Sequence, residues 1–170
     1  SEIRVHDHPP LAAQRNLRHL CVMPPTPPSS SSAQGTSRVT IALCTYNGAA
    51  HLEAQLVSYL AQTHTAWDLW VSDDGSTDAT LDILHAFATD YRAVHDVRIL
   101  TGPRAGVAAN FIQLLCHPDL PNQPVALSDQ DDVWLPKKLA LACVEMTGDT
   151  PVLYGAQSIS VDAVLRPIGQ

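Results

Sequence analysis

Three aspartates, Asp129, Asp131 and Asp132, fall within four positions, directly after the run Val125, Ala126, Leu127 and Ser128. Two carboxylates about 5 Å apart at an effective dielectric near 20 repel by roughly 3 kcal/mol, so a positive partner is expected there. Mg2+ or Mn2+ suits such a place, because both take hard oxygen ligands and commonly share them with phosphates. The competing reading is a solvated acidic turn that caps a helix beginning at Pro136.

A second acidic pair, Asp73 and Asp74, lies in Ser72 to Asp78, and a polar turn of Thr45, Tyr46, Asn47 and Gly48 precedes it. A group of carboxylates rejects a bare anion but accepts a phosphate ester whose charge is screened by a bridging metal. Tyr46 offers either an aromatic face for a planar base or a core-packing ring. Asp73 or Asp74 can accept a hydrogen bond from an imide N–H, which favours a pyrimidine nucleotide; the same pair also suits a helix-capping turn. Arg104 is either a diphosphate contact or a surface residue, and His6, Asp7 and His8 are either chelating or a polar tip. No G-x-G-x-x-G follows the first strand and no G-x-x-x-x-G-K-[ST] occurs, which excludes the Rossmann fingerprint and the P-loop.

These groups need a scaffold that brings them together, and the hydrophobic pattern supplies one. From Arg38 onward, short β-rich runs alternate with helical patterns, the signature of a parallel sheet with crossover helices. Strands are expected at Val39 to Cys44, Asp68 to Val71, Val97 to Leu100 and Val125 to Leu127, with two more at Pro151 to Tyr154 and Ser158 to Val164. Helices are expected over Ala49 to Gln62, with Leu52, Leu56, Tyr59 and Leu60 inward, and over Ala79 to Arg92, with Leu81, Leu84, Ala88 and Tyr91 inward. Ser76 or Asp74 is the expected N-cap of the second. A third helix, Val107 to Cys116, turns Phe111, Leu114 and Leu115 to the sheet, and a fourth starts at Pro136. In such a unit all loops after the strands' carboxyl ends share one edge, where ligands of open α/β sheets bind. The clusters at Thr45 to Gly48, Asp73 to Ser76 and Asp129 to Asp132 therefore belong to one site.

The motifs V-T-I-A-L-C-T-Y-N (Val39 to Asn47), V-S-D-D-G-S-T-D (Val71 to Asp78) and L-S-D-Q-D-D-V-W-L-P-K-K-L (Leu127 to Leu139) resemble the nucleotide-binding half of family 2 glycosyltransferases. G-P-R-A-G-V-A-A-N-F lies between the second and third, and the resemblance covers about Arg38 to Gln170. The S-D-Q-D-D-V-W-L-P version is similar to a bacterial rhamnosyltransferase-like subgroup. This resemblance implies a GT-A fold, a three-layer α/β/α arrangement with a mainly parallel sheet, truncated at the C-terminal side. It implies transfer of a sugar, with inversion and metal assistance, from a UDP- or dTDP-sugar such as dTDP-rhamnose to a glycan or lipid-linked acceptor. Thr45, Tyr46, Asn47, Asp73, Asp74, Arg104 and Asp129 would hold the nucleotide, Asp129 and Asp131 would form the D-x-D site for Mg2+ or Mn2+, and Asp132 would face the sugar or support the ligands. Arg104 stands where the subgroup often has asparagine. The general base of such enzymes lies well downstream of D-x-D and is expected beyond Gln170. The alternative is a non-catalytic nucleotide- or carbohydrate-binding remnant.

The composition agrees with one globular unit: 170 residues, a net charge of -7 and 45% hydrophobic residues. The acidic balance, with Lys137 and Lys138 the only adjacent basic pair, argues against nucleic acid as a partner. Residues 1–37, with Pro24, Pro25, Pro27, Pro28 and Ser29 to Ser32, read as a weakly ordered segment ahead of the domain at 38–170; Leu11 to Met23 has the pattern of a short amphipathic helix. Cys21, Cys44, Cys116 and Cys143 form no C-x-x-C pair, and Cys44, Cys116 and Cys143, which lie among apolar neighbours, read as reduced, buried thiols of a cytoplasmic protein. No apolar segment approaches 20 residues and Leu11 to Met23 is too polar for a signal peptide, while peripheral attachment at the inner face of the membrane is left open.

Overall fold

The computed structural model describes residues 3–5, 37–146, 151–162 and 166–167. Its elements run β1 (Ile3–Val5), β2 (Val39–Thr45), α1 (Leu52–Leu60), β3 (Trp67–Asp73), α2 (Thr80–Tyr91), β4 (Val97–Thr101), α3 (Val107–Leu115), β5 (Val125–Asp129), β6 (Asp132–Val133), α4 (Lys138–Glu145) and β7 (Ile159–Val161). Strands β4, β3, β2 and β5 form, in that order, a fully parallel sheet. Every residue of β2 and β3 is buried, as expected of central strands covered on both faces.

Alternation along the strands sorts the layers. Val39, Ile41 and Leu43 of β2 with Trp67, Leu69 and Val71 of β3 meet Leu52, Leu56 and Tyr59 of α1, Leu84 and Phe87 of α2, and Leu139 of α4. Ala42, Cys44 and Trp70 point the other way, against Leu114 and Phe111 of α3. The result is the expected three-layer α/β/α arrangement around a parallel sheet. Each fully buried large aliphatic chain in these layers contributes about 1.5–3 kcal/mol, which makes this double core the main source of stability.

Several local expectations need correction. Phe87, not only Leu84, supplies the inner face of α2, and Leu115 is 39% exposed because α3 turns it past the sheet. Helix α2 takes no cap from Ser76 or Asp74; Asp78 accepts from the Thr80 N–H at 3.0 Å instead. Pro151 to Tyr154 forms no strand, and the expected strand from Ser158 shortens to β7. Of the segment placed ahead of the domain, Ile3–Val5 pairs parallel with β6 and antiparallel with β7 in a small second sheet, while His6, Asp7, His8 and the Leu11 to Met23 pattern lie outside the described residues.

The register places the strand ends together. Thr45 pairs with Asp73, Asp73 with Thr101, and Cys44 with Asp129. The chain leaves this edge through left-handed residues, Asn47 (φ 49°), Gly75 (φ 97°), Arg104 (φ 57°) and Gly106 (φ 90°), which turn the backbone sharply at the sheet's end.

Candidate functional site

The loops after β2 and β3 are bonded into one wall. The Asp74 N–H donates to the Thr45 carbonyl at 2.8 Å. The Asn47 N–H donates to Ser76 Oγ and the Thr77 N–H to Asn47 Oδ1, both at 2.8 Å. Gly48 N–H reaches Thr80 Oγ1 at 2.8 Å and Ala49 N–H reaches Asp78 Oδ2 at 3.1 Å. Hydrogen bonds, above all from Thr80, hold the Asp78 carboxyl below the usual range.

Asp73 and Asp74, adjacent in sequence, have different tasks. Asp73 is buried: Oδ1 accepts from the N–H groups of Gly75 (3.1 Å) and Ser76 (2.9 Å), and Oδ2 from the hydroxyls of Thr45 (2.9 Å) and Ser76 (2.5 Å). Asp74 faces the β4–α3 loop, accepting from the N–H groups of Arg104 (2.6 Å) and Gly106 (2.8 Å). Its carboxylate thereby fixes the two left-handed residues of the loop that leads into α3.

Between these walls and β5 lies a cleft of about 700 Å³, lined by Thr45, Tyr46, Asp74, Gly75, Ser76, Thr77, Arg104, Asn110, Asp129 and Gln130 among others. Its size is in the range of small-molecule and cofactor sites. Tyr46 is 57% exposed, so its ring is a cleft face and not a core group. Cys44 lines the floor; burial, reinforced by Asp129 and Asp74, pushes its thiol up to about 12, so it is a neutral thiol and not a nucleophile.

Of the third cluster, Asp129 lines the cleft and its Oδ1 accepts from the Gln130 N–H at 2.9 Å. Asp131 lies in the following turn, and Asp132 lines a separate cavity of about 330 Å³ with Lys138 and β5. Burial lowers the Lys138 ammonium from its ordinary value, opposed by Asp132. Gln130 binds both ways to the Tyr46 backbone: Oε1 accepts from its N–H at 2.8 Å and Nε2 donates to its carbonyl at 3.0 Å.

The structure thus brings Thr45, Tyr46, Asp74, Arg104 and Asp129 into one cleft, keeps Asn47 and Asp73 inside its wall, and leaves Asp132 outside it. Among the described residues no three His, Cys, Asp or Glu side chains gather as a metal site. Asp129, in the cleft lining, is a carboxylate of the kind a Mg2+ or Mn2+ ion takes one or two of, completing its shell with phosphate and water oxygens. Residue types alone did not single out Gln130, Asp78 or Asn110. Asp78 had a readable signal, a carboxylate with a threonine two positions on at the start of an apolar helical pattern.

Comparison with known proteins places this geometry. The model of the family described as glycosyl transferase family 2 matches residues 40–166. The dTDP-rhamnosyl transferase RfbG of Shigella flexneri is 34% identical over 105 residues, 60% of this chain and 36% of that protein. An uncharacterized glycosyltransferase of Nostoc is 29% identical over 102 residues, 60% of this chain and 30% of the relative. The chain spans about a third of the length of these curated relatives. Among solved structures, the mannosyltransferase PcManGT from Pyrobaculum calidifontis, in complex with GDP-Man and Mn2+, superposes with a TM-score of 0.54 at 26% identity, over 61% of this chain and 30% of its own. S. aureus TarS 1-349 gives a TM-score of 0.52 at 23% identity, covering 63% and 31%, which shows the shared fold. Both the parallel α/β architecture and the ordered motifs along the sheet edge are accounted for, and the chain belongs to glycosyl transferase family 2.

Proposed function

We propose that this chain is the donor-binding part of a metal-assisted, inverting glycosyltransferase that uses a UDP- or dTDP-sugar, with dTDP-rhamnose the leading donor, and a glycan or lipid-linked acceptor. The observation that carries this reading is the cleft itself, which joins Tyr46, Asp74, Arg104 and Asp129 from four strand ends in one space of nucleotide size. The similarity to a relative named as a dTDP-rhamnosyl transferase supports the choice of donor.

In this reading the exposed Tyr46 ring lies against the base, and Arg104, a cationic residue of the cleft lining, faces the diphosphate. Thr45, Asn47 and Asp73 serve the nucleotide by holding the wall in shape, since their side chains bond within it. Asp129 and Asp131 hold Mg2+ or Mn2+, which when bound supplies Lewis-acid stabilisation to the departing diphosphate. Asp74 is committed to two N–H groups, so the base that deprotonates the acceptor is assigned outside this cleft. The matching localisation is cytoplasmic, peripheral to the inner face of the membrane; no helix among the described residues is long and apolar enough to cross one.

Titration calorimetry with UDP and dTDP, in Mn2+ and in EDTA, tests this reading. Binding should depend on Mn2+ and lose that dependence in Asp131→Ala. Metal-dependent binding that survives Asp131→Ala overturns the assigned metal site, and absence of any nucleotide binding overturns the function.

A further inference from the structure

Beneath the Asp129–Val133 turn lies a polar cluster that the family motifs leave unassigned. Gln55 and Tyr59 of α1 and Ser128 of β5 are all at most 1% exposed. Gln55 Nε2 donates to Tyr59 Oη at 2.9 Å and to Ser128 Oγ at 2.8 Å, Tyr59 Oη donates to Ser128 Oγ at 2.7 Å, and Ser128 Oγ donates to the Asp129 carbonyl at 3.1 Å. The donors form a directed chain that ends on the backbone of the first aspartate of the turn.

The ring of Tyr59 holds the opposite end. It packs edge-on against Trp134 with centroids 4.9 Å apart, and Lys138 Nζ lies over that same Trp134 ring, 4.2 Å from its centroid. One side chain on α1 therefore touches both residues that bracket the turn, Ser128 before Asp129 and Trp134 after Val133. Burial pushes the phenol well above its ordinary value, although its hydrogen bonds to Ser128 and from Gln55 act the other way, which keeps Tyr59 a neutral donor. Gln55 Oε1 is buried and has no hydrogen-bond partner. A core selected for stability alone would favour an apolar group over a polar cluster with an unmet acceptor, so the cluster points to a positional task.

We infer that Tyr59 is a positioning residue for the metal-binding turn, fixing Asp129 through Ser128 and the far end of the turn through Trp134. This inference rests on the donor-site reading above. It goes beyond that reading by placing the control of turn geometry on α1, outside the cleft.

The test uses Tyr59→Phe, which removes the hydroxyl and keeps the ring, with Ser128→Ala as a second variant. Two measurements are made on the whole chain: Mn2+ affinity in the presence of UDP or dTDP, and hydrogen exchange of the amides from Asp129 to Val133. Tyr59→Phe should weaken Mn2+ binding about tenfold, the lower end of the effect of removing support behind a metal ligand. It should leave nucleotide binding in EDTA unchanged and accelerate exchange in the turn more than in β2 or β3. Unchanged Mn2+ affinity in a wild type that binds the ion overturns the inference. If the wild type binds no metal, the donor-site reading fails, and exchange alone decides: acceleration confined to the turn supports the positioning role, while unchanged or uniform exchange overturns it. If Tyr59→Phe does not fold, Ser128→Ala is held to the same readouts.

Discussion

The side-chain amide of Gln130 closes two hydrogen bonds on the backbone of Tyr46, accepting from its N–H and donating to its carbonyl across a separation of 84 positions. A side-chain amide carries a carbonyl acceptor and an N–H donor side by side, which suits it to the N–H and the carbonyl of a single residue. Replacing it with alanine should release the Tyr46 loop from β5. At about 0.5–1.5 kcal/mol for each bond, Gln130→Ala is expected to cost about 1–3 kcal/mol in urea unfolding and to weaken nucleotide binding, by calorimetry, as the Tyr46 loop loses its tie.

Asp73→Asn offers a second case. The carboxylate accepts four hydrogen bonds in the wall, and an amide there turns an acceptor into a donor facing other donors. A loss of about 2–4 kcal/mol in urea unfolding is expected, with donor binding lost alongside stability.

Gly102 sits where two strands' loops meet the head of α3. A Cβ there would lie 2.9 Å from the Asp73 carbonyl oxygen and 3.0 Å from Asp74 Cα, both backbone atoms, and 2.5 Å from Asn110 Oδ1. Gly102→Ala should therefore cost about 1–3 kcal/mol of stability and displace Asp74, lowering nucleotide affinity as well.

The pH dependence of stability should carry a mark from His95. Its ring stacks on Trp67 with centroids 3.4 Å apart, and burial lowers its value below the ordinary 6.5. The folded state then resists a proton that the unfolded state accepts. Stability is full above about pH 6.5 and falls as the pH drops from there toward the folded value, by no more than about 1.4 kcal/mol per pH unit. Urea midpoints measured from pH 7.5 to 5.5 should show this slope, and His95→Phe should flatten it.

Much of the architecture was legible because the pattern repeats a single physical rule. Val39 to Cys44 is apolar on both faces and reads as a central strand, and Leu52, Leu56 and Tyr59 recur at helical spacing. The shared sheet edge followed from parallel connections, which is why Tyr46, Asp74 and Asp129 could be placed together. Partnerships were less legible. Both Asp73 and Asp74 are buried, and nothing about them as residue types says that one bonds within the wall and the other to the β4–α3 loop beside the cleft. Leu115 was misplaced because helical periodicity sets the angle of a side chain but not how far the sheet extends beneath it. Pro151 to Tyr154 has strand composition, yet pairing depends on a neighbour that composition does not specify.

The hydrogen bonds between Tyr46 and Gln130 also bear on how the chain comes to be folded. Strand β2 is laid down first in the main sheet, but its second neighbour, β5, and the amide that holds its loop arrive 84 residues later. During synthesis from the N-terminus, β2 can pair with β3 and bury one edge, whereas the β5 edge stays open until the aspartate turn has emerged. The cleft between the loops after β2 and the end of β5 is therefore the last part of this sheet edge to be completed in the order of synthesis.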